Sequence, residues 1–108
     1  MDQILPIGSV VEAGDVRLCL LGARMLEKEG CMTLAYCAVR HPRGYAGLES
    51  LGIVYAQDIT RILFTGKVGS SGRQFLDGLT TIYRQMEGRT AAQAQALFDE
   101  MQEKYKDI

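Results

Sequence analysis

Hydrophobic and polar positions along this 108-residue chain follow two periods, with a change at a glycine-serine stretch, Gly66 to Gly72. Before it, short apolar runs are separated by turn-forming residues, the signature of β-strands. Val16 to Gly22 is apolar on both alternating faces with a single charge, Arg17, and so predicts a strand in the middle of a sheet. Ahead of it, Leu5 to Glu12 carries the β-branched pair Val10-Val11 and predicts a first strand with Pro6 at its start. Ala13-Gly14-Asp15 has the length and composition of a hairpin connection, so the first two strands should pair antiparallel. Met25 to Gly30 is polar and ends in glycine, which predicts a solvated loop. Met32 to Arg40 predicts a third strand with Leu34, Tyr36 and Ala38 on one face. After the breaker segment His41 to Gly47, strands are expected at Leu51–Tyr55 and Arg61–Gly66, with Asp58 placed to cap a single helical turn between them.

Beyond Gly72 the period becomes 3.6. Phe75, Leu76, Leu79, Ile82, Tyr83 and Met86 share one helical face, and Ser71 with Gln74 has the spacing of a capping box. Gly78, Thr80, Thr81 and Ile82 are poor helix formers, so this helix needs docking to hold together. Gly88 fits the left-handed residue past a helix end. Thr90 with Gln93 repeats the capping signature and opens a second helix to about Lys106, with the apolar stripe Ala94, Leu97, Phe98, Met101 and Tyr105. The expected fold is α+β: an antiparallel sheet of about five strands followed by two C-terminal helices, at least one packed on the sheet. A single domain over 1–108 is expected, with residues 1–67 forming the sheet region and 72–106 the helical region.

Charge narrows the function classes. Lysine and arginine number 12 against 13 acidic residues, too even a balance for the basic surface that phosphate backbones require. The first residues carry no basic segment followed by a long apolar one, and no apolar run approaches the roughly 18–20 residues that span a bilayer. A cytoplasmic protein is expected, with no nucleic-acid or membrane partner. Cys19, Cys31 and Cys37 match neither a redox pair nor a zinc site and read as small hydrophobes, Cys31 least so because it ends a polar loop.

No constellation demands catalysis. Cys37 and the single histidine, His41, are four apart, about 13 Å along an extended strand and beyond hydrogen-bond reach. Gly66 to Gly72 precedes a helix, yet Lys67 stands at its start where a phosphate-binding loop carries lysine near its end. Asp99, Glu100, Glu103 and Asp107 are spread among lysines and read as a solvated face. Arg40 and Arg43 flank the His-Pro turn, where they could hold a carboxylate partner or serve solubility alone. No catalytic, cofactor or metal residues are expected. Candidate protein-binding residues are His41, Arg43 and Tyr45 in the turn and Leu97, Phe98, Met101 and Tyr105 on the second helix, which either covers the sheet or docks on a partner or a second copy.

Leu5-Pro6-Ile7-Gly8-Ser9-Val10-Val11, Leu20-Leu21-Gly22-Ala23-Arg24, His41-Pro42-Arg43-Gly44-Tyr45, Asp58-Ile59 and Phe64-Thr65-Gly66 occur in the order of a known pattern. Together they resemble the small bacterial proteins called domain of unknown function 4176, over about residues 4 to 67. Where that pattern has Gly-Arg directly, this chain interposes Ala23. Where it has Asp-Tyr and Tyr-Pro-Glu-Gly, the chain has Ala35-Tyr36 and His41-Pro42-Arg43-Gly44. The resemblance implies a protein encoded beside type VII secretion genes and LXG-type toxins. It implies a non-enzymatic adaptor or targeting chaperone that binds the toxin or its small helical co-factors in the cytoplasm. The alternatives are an immunity protein, a small nucleic-acid-binding β domain and, more distantly, an enzyme using Cys37 or His41.

Overall fold

The computed structural model describes residues 3–105, with the backbone alone at Phe98, Met101, Lys104 and Tyr105. Five strands form one antiparallel sheet: β1 (Val10–Ala13), β2 (Val16–Lys28), β3 (Cys31–Arg40), β4 (Gly52–Tyr55) and β5 (Arg61–Phe64). Helices α1 (Ser70–Met86) and α2 (Ala91–Tyr105) follow. The spatial order is β4-β3-β2-β1-β5, which places the expected central strand in the middle. Both helices touch β3.

The sheet cannot be flat. β4 and β5 lie at opposite edges, where four strand spacings would separate them by about 19 Å in a flat sheet. The antiparallel pairings also make them run in the same direction, so the link between them must return along the strand length. Ala56–Thr60, with Ala56–Asp58 in a 3-10 turn, reaches at most about 16 Å. The sheet therefore rolls towards a barrel whose seam lies between β4 and β5. The 3-10 turn passes against β3, and Lys28 braces it, with Nζ 3.8 Å from the Asp58 carboxylate and 4.3 Å from the Tyr55 ring centre.

The polar stretch Met25 to Gly30 is not a loop. β2 runs to Lys28, and only Glu29 and Gly30, with φ of 54° and 83°, make the turn. A bulge explains the difference. Leu20 faces Ala38 but Gly22 faces Cys37, so Leu21 is an extra residue and the alternation changes phase. Leu18 and Leu20 before the bulge, and Ala23 and Met25 after it, share the inner face with Leu34, Tyr36 and Ala38. A strict period of two would have turned Ala23 and Met25 outward.

Val11, Leu20, Tyr36 and Val54 on the sheet pack with Leu76 and Met86 of α1 and Ala94 of α2 around Ile4. Residues 3–5 seal this core as a strap with its donors paired. The Ile4 N–H donates to Thr80 Oγ1 at 3.3 Å, the Leu5 N–H to the Tyr36 hydroxyl at 3.0 Å, and the Gln3 amide to the Asp77 carboxylate. A second clasp joins the two ends of the sheet region. The Gly66 N–H donates to the buried Ser9 Oγ at 2.9 Å, and a Cβ at Gly66 would stand 2.3 Å from the Ile7 carbonyl oxygen. The Leu5 to Val11 and Phe64 to Gly66 motifs are thus two halves of one packing contact.

The capping expectations divide. Thr90 Oγ1 accepts from the Gln93 N–H at 3.2 Å and Gln93 Oε1 accepts from the Thr90 N–H at 3.1 Å, a complete capping box. Ser71 lies inside α1, whose first flanking residue is Gly69 with no side-chain cap. Asp58 ends its 3-10 turn instead of starting it. Gly88 takes φ 81° past α1, and its N–H donates to the Met32 carbonyl while the Met32 N–H donates to the Arg89 carbonyl. That exchange ties the turn between the helices to the start of β3. Among the described residues, no helix is long and apolar enough to cross a membrane.

Candidate protein-binding surface

The outer face of the sheet carries no helix, and its apolar centre is built by the strand registers. Val10 pairs with Cys19, and Cys19 with Val39, so three small side chains stand in a row. Val10 and Val39 are buried, though neither belongs to the inner core. The row continues onto β5, because Phe64 faces Val10. Beyond β3 the ladder gains one more rung: the His41 N–H donates to the Arg17 carbonyl at 3.0 Å. Val10, Arg17, Cys19, His41, Leu63 and Phe64 line a hollow of about 470 Å³ on this side.

Glu12 sits beside it, opposite Arg17 on one neighbour and Arg61 on the other. Its Oε1 accepts from the Arg61 guanidinium at 2.8 Å and lies 3.7 Å from Arg17 Nε. Two largely exposed guanidiniums therefore share one carboxylate, leaving a net positive charge next to an apolar hollow.

A second hollow, of about 480 Å³, opens on the inner side at the seam, where Leu5, Leu34, Tyr36, Ile59, Arg61 and Ile62 contribute walls. Burial pushes the Tyr36 hydroxyl above its ordinary pKa, opposed by the Leu5 N–H that it accepts. Burial likewise raises Tyr83 on α1, opposed by the positive charge of Arg24. Both phenols keep their protons at neutral pH.

The turn residues separate. His41 joins the outer hollow, whereas Arg43 and Tyr45 stand exposed beyond it. Leu97 is half-buried against the core, which assigns it to packing α2. The side chains of Phe98, Met101 and Tyr105 lie outside the described residues. Cys37 faces Ile53 and Gly22; the cysteine that shares a hollow with His41 is Cys19. All three thiols are free, Cys19 and Cys37 half-buried and Cys31 exposed. Among the described residues no three His, Cys, Asp or Glu side chains gather as a metal site.

Sequence reasoning missed Val10, Cys19, Leu63 and Phe64 as site residues. The alternation of Ile62, Leu63 and Phe64 announced a strand but not an edge, because strand order is set by pairings far apart in the chain.

No curated protein and no solved structure matches the chain. A family model does match, over residues 4–75, a span that holds all five strands, the 3-10 turn, the outer hollow and the opening of α1. The Ser9–Gly66 clasp and the outer hollow therefore sit within that shared segment, and the chain belongs to the family described as Domain of unknown function (DUF4176).

Proposed function

We propose that this chain is a non-enzymatic adaptor or targeting chaperone that binds a type VII secretion substrate, an LXG-type toxin, in the cytoplasm. The observation that carries the reading is the outer hollow with its rim. Leu63 and Phe64 at its edge are exposed, as are Ile53 on β4 and Leu21 at the bulge, beside the buried Val10 and Val39. Contiguous apolar surface rimmed by charge is what protein-binding sites leave open in the free state. The formal net charge of −1 favours a protein partner over nucleic acid.

Co-expression with the LXG toxin encoded beside its gene tests the reading. A stable complex is expected, together with loss of toxin export when the gene is deleted. A chain that captures none of the adjacent gene products would sink it. Protection of toxin-producing cells with export unchanged would assign the protein to immunity instead.

A further inference from the structure

We infer that the free edge of β5 takes up an extended segment of a partner protein as a sixth strand, one that alternates apolar side chains and carries an acidic one opposite Arg61. This rests on the protein-binding reading above and adds the mode of binding and the chemistry of the bound segment.

β5 pairs with β1 on one side and with no strand on the other among the described residues. Sheet edges are usually blunted by lysine, proline, an inward charge or a covering element. The four-residue β5 is short, bulged and charged at Arg61, which also blunt an edge, but Ile62, Leu63 and Phe64 carry no lysine or proline and are 51%, 37% and 59% exposed. The opposite edge, β4, differs: its last residue, Tyr55, lies under Lys28. Within β5 the register shifts, so that Ile62 faces Val11 and Phe64 faces Val10, and Leu63 has no counterpart on β1.

The hollows straddle this strand. Ile62 borders the inner one at the seam, and Leu63 and Phe64 border the outer one. A strand laid beside β5 sends successive side chains to opposite faces, so alternate residues would enter the two hollows while backbone amides and carbonyls pair along the edge. Each hollow is large enough for apolar side chains, at about 480 and 470 Å³.

Charge selects among occupants. Arg61 on β5 shares Glu12 with Arg17 of β2, so the three leave one positive charge, which an acidic residue on the incoming strand would meet at Arg61. A second copy pairing β5 to β5 would bring no acidic residue to Arg61, because Arg61–Phe64 contains none, so the edge favours a different chain.

Selection from a random-peptide phage library on the full chain tests this without knowledge of the natural partner. Enriched peptides should alternate apolar residues with Asp or Glu, and binding them should protect the β5 amides from hydrogen exchange. Leu63→Lys should weaken binding about tenfold or more. Arg61→Glu, at an exposed side chain, should weaken it several-fold, with wild-type binding itself weakening as salt rises. Circular dichroism checks that both variants fold. Failure to enrich any peptide, or enrichment of peptides indifferent to both variants, overturns the inference. So does a concentration-dependent dimer abolished by Leu63→Lys, because a second copy would then own the edge. If the toxin complex forms and Leu63→Lys leaves it intact, edge pairing fails while the adaptor reading stands. If no toxin complex forms but the peptide results hold, the reverse is true.

Discussion

The two faces of the one sheet are buried in different ways. On the inner face Val11, Leu20 and Tyr36 lose their surface to α1, α2 and the strap of residues 3–5. On the outer face Val10 and Val39 flank Cys19 and are buried without belonging to the inner core. The inner face holds the fold together by coverage from elements distant in the chain. The outer face adds less to stability and remains available to something outside the molecule.

The sharpest way to break this contrast is to empty one inner position. Leu20→Ala should cost about 2–5 kcal/mol of unfolding free energy, read from urea midpoints, because Leu20 is fully buried in the cluster that joins the sheet to the helices. A loss under about 1 kcal/mol would mean that the inner face is not the core. Gly66→Ala should come next, at about 2–3 kcal/mol, since the added methyl meets the Ile7 carbonyl oxygen and the backbone must move. Thr90→Ala should cost about 1 kcal/mol by removing the cap of α2, while Ser71→Ala, inside α1, should cost nearly nothing; equal losses would contradict the asymmetry between the two helix starts.

Alkali probes the inner face from another direction. Tyr36 and Tyr83 have raised folded-state pKa values, so each folded phenol holds its proton more tightly than the unfolded one. The stability this confers is complete below the unfolded value of about 10 and is lost as pH rises through the folded values. Denaturant midpoints should fall above about pH 10, and Tyr36→Phe should flatten that fall; an unchanged slope would remove Tyr36 as its source. The smallest effect belongs to the outer face. Phe64→Ser should change stability by less than about 0.5 kcal/mol, yet weaken any complex formed at the β5 edge.

Much of the fold was legible from residue pattern. Val16 to Gly22 announced the middle strand, the third strand's faces were right, and Thr90 with Gln93 gave both bonds of the α2 cap. The reading failed where one local rule met a tertiary one. Met25 to Lys28 looked like loop because charges gather there, but the bulge returns Met25 to the core and the hairpin tip carries the charges into solvent. Ser71 had the right partner three residues on, yet the helix begins before it, where Gly69 leaves an extended backbone. The site was less legible still. His41 was nominated by its turn, but Cys19, Leu63 and Phe64 become its neighbours only through the β1–β2 and β1–β5 registers, and no local pattern encodes them.

Leu21 gives the longest strand one residue more than its ladder uses. An insertion in the centre of a strand normally turns every later side chain inside out. Here the bulge absorbs it within two residues, Ala23 and Met25 keep their inward aim, and the strand tolerates a change of length at its midpoint as loops ordinarily do.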